Sequence, residues 1–106
     1  MCEQSRKRVA LFGALLSVLC APAQADMALA QSRNCLSCHA IDKKVVGPAF
    51  KDIAARYAND KGAADRLTSK IVRGGGGSWG VVAMPANERV TAEEAKKLAA
   101  WVLSQK

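Results

Sequence analysis

Residues 34–50 read NCLSCHAIDKKVVGPAF, and the five residues from Cys35 to His39 decide how the rest of the chain is read. Cys35-Leu36-Ser37-Cys38-His39 has the form C-x-x-C-H, the signature of covalent c-type haem attachment. Two thiols about one helical turn apart can each add to one of the two haem vinyl groups. The adjacent histidine then falls beneath the iron and offers its imidazole. Competing chemistries fail on counts. Structural zinc asks for four Cys or His ligands, and His39 is the one histidine in the sequence. A thiol–disulfide exchange motif belongs beside a βαβ pattern, and no strand-like alternation is present. A disulfide between Cys35 and Cys38 would close a very small loop and stabilise little.

Upstream, the sequence changes character. Arg6, Lys7 and Arg8 precede a 12-residue apolar run, Val9 to Cys20, and Ala23-Gln24-Ala25 closes it. A basic start, a short apolar middle and an A-x-A end describe a secretory signal peptide over residues 1–25, cleaved after Ala25. The apolar run falls short of the roughly 20 residues needed to span a bilayer. Cys20 is a poor lipid-anchor site, because the large Leu19 precedes it where a small residue is wanted.

The mature domain is then residues 26–106. The full chain carries 16 basic and 9 acidic side chains. The leader holds Glu3 and three of the basic residues, so the domain keeps a balance of +5. It also retains only two of the four cysteines, Cys35 and Cys38. So small a domain gains little from its own core and needs a staple. A haem supplies that apolar bulk.

Helical periodicity dominates the domain. Residues 26–34 form a short helical pattern with Asp26 as N-cap. Residues 49–59 place Phe50, Ile53, Ala54 and Tyr57 on one face. Residues 63–73 align Ala63, Ala64, Leu67 and Ile71 and stop at glycine. Residues 91–104 carry a capping box at Thr91 and Glu94, then a stripe of Ala95, Leu98, Ala99 and Val102. Trp101 is expected to pack this last helix on the first. The expected architecture is all-α: four short helices wrapped around one covalent haem. Long loops at 35–48 and 74–90 would be unusual in so small a domain unless held from inside.

The second axial position of the iron has few candidates. Met27 sits beside the expected new N-terminus and reads as packing. Met84 lies 45 residues after His39, before Pro85 and outside any helical stripe, and is the expected ligand. Met/His ligation raises the reduction potential and fills both axial sites. Such an iron passes an electron and binds no substrate.

The stretches NCLSCHAIDKKVVGPAFKDIAARYA, SWG, VAMPAN and LAAWVLSQK resemble the class I cytochromes c, most closely the small bacterial Pseudomonas-type c-551/c-552 group. The resemblance runs over essentially the whole mature chain. It implies thioether bonds at Cys35 and Cys38 and axial ligation by His39 and Met84. It further implies that the Pro48 carbonyl orients the histidine ring, that Trp79 meets a haem propionate, that Lys70 lies near a propionate, and that Asn87 lies near the methionine sulfur. Three features depart from the group: the glycine-rich GGGGSW, the proline-poor VVAMPAN, and one extra residue in ERVT.

The functional expectation is a monohaem electron carrier of the periplasm, with no catalytic acid or base. Its partners would be redox proteins such as a periplasmic reductase, a terminal oxidase or an upstream quinol-oxidising complex. Lys43, Lys44, Lys51, Lys61, Lys96 and Lys97 are scattered, which suits transient steering toward acidic patches rather than nucleic acid. Gly74–Gly77 lacks the G-x-x-x-x-G-K-[ST] form of a phosphate loop and reads as chain reversal at the haem edge. A ligand sensor with an open sixth site is the alternative, and Met84 opposes it. A peroxidase-like enzyme would want a distal histidine that this sequence lacks.

Overall fold

The computed structural model describes residues 22–106, with side chains from residue 26 onward. The expected signal segment falls, up to residue 21, outside the described residues. Four α-helices follow: α1 (Pro22–Ser32), α2 (Phe50–Arg56), α3 (Ala63–Arg73) and α4 (Ala92–Leu103). A 3-10 turn occupies Cys35–Ser37. Among the described residues no named strand occurs, only two isolated antiparallel bridges, His39 with Lys44 and Gly75 with Met84.

Helix α1 begins four residues before the expected cap. Asp26 therefore lies inside the helix instead of capping it. Proline suits a first helical position, since its missing N–H would be unpaired there anyway. The helix ends at Ser32, two residues before the expected boundary. Asn34 then takes a left-handed conformation with φ 62°, which Asn tolerates better than most residues. Helix α2 also stops early, at Arg56. Beyond it the chain tightens, with the Asp60 N–H donating to the Tyr57 carbonyl at 3.1 Å.

Helix α3 keeps its expected bounds. Helix α4 carries the full capping box: the Glu94 N–H donates to Thr91 Oγ1 at 3.2 Å, and the Thr91 N–H donates to Glu94 Oε1 at 3.0 Å. Helix α4 is the hub, packing against α1, α2 and α3. Its stripe of Ala95, Leu98, Ala99 and Val102 is buried, as are Phe50 and Ile53 of α2 and Ala30 of α1. Trp101 does not simply join the last helix to the first. It meets Phe50 of α2 edge-on, with centroids 5.2 Å apart. Met27 is partly buried against this core, as a packing residue should be.

Candidate functional site

The segment from Cys35 to Phe50 closes on itself. The 3-10 turn brings the His39 N–H to the Cys35 carbonyl at 3.0 Å. The Cys38 carbonyl accepts from Val46 at 3.1 Å and Gly47 at 2.7 Å. Farther along, Phe50 and Lys51 donate to the Ala40 and Ile41 carbonyls, each at 2.9 Å. This lattice holds His39 almost fully buried.

The imidazole is fixed on three sides. Its Nδ1–H donates to the Pro48 carbonyl at 2.7 Å. A carbonyl can only accept, so Nδ1 bears a proton, and in the neutral imidazole the lone pair falls on Nε2. Phe50 stacks on the ring, with centroids 5.0 Å apart and planes 20° from parallel. Gly47 covers another side so closely that a Cβ there would lie 2.5 Å from His39 Cε1. Cys35 and Cys38 are both half-buried and are not joined in a disulfide. Burial pushes the Cys35 thiol above its ordinary value of 9.0, against a smaller opposing effect of its own backbone hydrogen bonding.

Met84 is delivered differently. It belongs to a loop with little internal structure and is anchored at its two ends. Upstream, Gly75 and Met84 exchange backbone hydrogen bonds of 2.9 and 2.8 Å. Gly74, at φ 70°, lets the two segments touch: a Cβ there would lie 2.5 Å from the Met84 oxygen. Only glycine adopts this conformation at that separation without strain. Downstream, the Asn87 N–H donates to the Ile71 carbonyl of α3 at 3.1 Å.

These segments enclose one cleft of about 590 Å³, lined by all eight residues singled out in the sequence: Cys35, Cys38, His39, Pro48, Lys70, Trp79, Met84 and Asn87. Its surface is mostly apolar, because Phe50, Ile53, Leu67, Ile71, Leu98 and Val102 form its floor and walls. The core and the cleft wall are thus largely the same residues. The volume lies within the roughly 300–1,000 Å³ usual for cofactor sites. Two thiols, a free imidazole nitrogen and a thioether sulfur share one apolar cleft, and that donor set fits a c-type haem.

The Cytochrome c family model matches residues 27–106. The chain belongs to the cytochrome c family. Cytochrome c-551 of Allochromatium vinosum is 48% identical to it over 81 residues, covering 76% of this chain and 86% of that one. Cytochrome c-552 of Nitrosomonas europaea is 47% identical over 95 residues, covering 90% of this chain and 92% of that protein. The crystal structure of wild-type Nitrosomonas europaea cytochrome c552 superposes with a TM-score of 0.74 at 49% identity. That match covers 76% of this chain and 99% of that one. The cytochrome thus has the all-α class I fold, and its cofactor is one covalent haem c with Cys35 and Cys38 in the attachment position.

Other residues of the cytochrome take places that spacing did not disclose. Trp79 is more than a third exposed. The Arg56 guanidinium lies 4.4 Å from its ring centroid and also donates to the Ser78 carbonyl. Lys70, half-buried on α3, turns its ammonium toward Gly75, where a Cβ would lie 2.8 Å from Nζ. The Asn87 amide nitrogen donates to the Arg33 carbonyl at 3.0 Å. Arg33, Gly47, Arg56 and Gly74 were not singled out as site residues in the sequence. The G-P pair at 47–48 and the glycine run at 74 marked turns, and their approaches to His39 and Met84 are tertiary.

Proposed function

We propose that this cytochrome is a diffusible periplasmic electron carrier, exported by residues 1–25 and cleaved after Ala25. The carrying observation is that His39, with Nε2 free, and Met84 line the same apolar cleft as the two cysteines. In this reading Cys35 and Cys38 would hold the haem through thioethers, and His39 Nε2 and Met84 Sδ would ligate its iron. The bound haem supplies a one-electron Fe(III)/Fe(II) couple.

The remaining work falls to the polypeptide. Pro48 holds the imidazole proton on Nδ1, which keeps Nε2 available and makes it a better donor. Met84 contributes a soft, neutral sulfur that favours the reduced state. Phe50, Ile53 and Leu98 exclude water from the cleft and lower its dielectric. With His39 and Met84 both engaged, the iron would offer a substrate no open position.

Partner contact is assigned to the cleft mouth. Val46 and Val82 line the cleft and are more than half exposed, and the exposed Val45 and Val81 adjoin them in sequence. Exposed Lys43 and Lys44 precede the first valine pair. An apolar mouth beside lysines suits brief encounters with redox proteins that carry acidic rims. Among the described residues no helix is long and apolar enough to cross a membrane.

The test is a visible spectrum of the ferric holoprotein. A sulfur-to-iron charge-transfer band is expected, and Met84→Ala should abolish it. Carbon monoxide uptake by the ferrous wild type at neutral pH would instead indicate an open sixth site and overturn the carrier reading.

A further inference from the structure

Arg33 is the residue through which three separate parts of the chain meet. It lies two residues before Cys35, and the left-handed Asn34 intervenes. Its side chain reaches the first turn of α4, where Nη2 donates to Glu94 Oε2 at 2.8 Å. Its carbonyl accepts the Asn87 amide at 3.0 Å. Asn87, three residues after Met84, is the downstream anchor of the loop that brings Met84 to the cleft. The anchor is itself stiffened, since Asn87 Oδ1 accepts the Arg89 N–H at 3.2 Å.

Glu94 is equally constrained. One carboxylate oxygen closes the capping box with the Thr91 N–H, and the other takes the guanidinium. An acceptor fixed by the helix start leaves Arg33 one favourable pose. Arg33 Nε is buried and without a partner. A nitrogen left unpaired out of water is costly, and the Glu94 contact is the one bond of the side chain that offsets it.

We propose that the Arg33–Glu94 ion pair is a positioning device for Met84, fixing the carbonyl to which Asn87 is tied and thereby slowing departure of the sulfur from the iron. This inference rests on the His39/Met84 ligation proposed above. Upstream, Met84 is held by its hydrogen bonds to Gly75, which do not involve Arg33. Downstream, loss of the pair frees Arg33 to shift, and with it the carbonyl that receives the Asn87 amide, so the side-chain tie of Asn87 weakens while its backbone bond to Ile71 stays. The loop then opens from the Asn87 end.

The experiment is imidazole entry into the ferric holoprotein at neutral pH, at imidazole concentrations high enough that Met84 release limits the rate. Arg33→Gln is expected to raise this limiting rate roughly fivefold, the scale of a partly exposed charged hydrogen bond. Glu94→Gln, which keeps an acceptor for Thr91, should do the same. Arg33→Lys should return the rate toward wild type. Thr91→Ala weakens the α4 cap and lowers denaturant stability, yet leaves the pair in place and should leave the limiting rate unchanged. A wild-type rate in both Arg33→Gln and Glu94→Gln would overturn the proposal. So would a rise in Thr91→Ala that matches theirs at equal loss of stability. A wild type without the charge-transfer band would overturn the ligation and this proposal together. A band present, with rates unmoved in both pair variants, removes the pair's role alone.

Discussion

The two sides of the cleft are built on opposite plans. On the histidine side, residues 35–50 fold over a short sequence distance, and nearly every constraint on His39 comes from within that stretch. The Cys35 and Cys38 carbonyls, the Pro48 acceptor, the Gly47 backbone and the Phe50 ring all lie within 11 residues of it. On the methionine side, residues 74–90 run largely over the surface, and Val81 at the loop's tip is fully exposed. Its constraints reach farther along the chain: besides the Gly75 pairing, Asn87 is tied to Ile71 on α3 and to the carbonyl of Arg33, 54 residues before it. The histidine is thus pre-organised by local structure, while the methionine depends on the assembled fold. One consequence is that conditions short of global unfolding should release the sulfur before the imidazole.

Four substitutions would break or sharpen this contrast, the largest effect first. Phe50→Ala removes the ring that stacks on His39 and meets Trp101, and should cost roughly 3–5 kcal/mol. Denaturant unfolding of the holoprotein would measure it. Gly74→Ala drives a Cβ into the Met84 backbone at positive φ and should cost about 2 kcal/mol. Its spectrum should lose the sulfur band while the haem stays covalently attached, so the methionine side fails and the histidine side does not. Equal damage to both sides would contradict the contrast.

Glu94 gives a smaller, pH-dependent effect. The Thr91 N–H first, and then Arg33, hold its carboxyl below the ordinary 4.5. Protonation in the folded state therefore lags protonation in the unfolded chain. The resulting stability is fully present above about pH 4.5 and is lost as pH falls through the lower folded value. Denaturation of wild type and Glu94→Gln across this range should show the gap between them narrowing toward acid. Smallest of all, Val81→Ser should change stability by less than about 0.5 kcal/mol, because the side chain packs on nothing. A larger shift in a thermal melt would mean that the exposed loop bears more structure than its burial indicates.

What was legible in the sequence follows the same divide. The C-x-x-C-H motif and the Gly47-Pro48 pair are local signals, and the segment they mark is locally built. Helices α3 and α4 were readable because their apolar period ends in recognisable stops and caps, Gly74 and the Thr91–Glu94 box. The start of α1 is not legible, because Asp26 has the chemistry of a cap while helical conformation already runs from Pro22. The 3-10 turn at Cys35–Ser37 is too short to leave a period. The distance from Gly47 to the imidazole, the Arg56 guanidinium over Trp79 and the Arg33–Glu94 pair join residues with no periodic relation. Only packing brings them together. Met84 itself is legible through the scarcity of candidates, since Met27 is the only other methionine after the expected leader.

The most direct test of the central claim is a proton NMR spectrum of the ferrous holoprotein. A methionine methyl held against the face of a porphyrin feels its ring current and moves far upfield of the protein envelope. One such three-proton resonance is expected in the wild type, retained in Met27→Ala and absent in Met84→Ala. A spectrum without that resonance, or one in which it survives loss of Met84, would contradict a haem held between His39 and Met84.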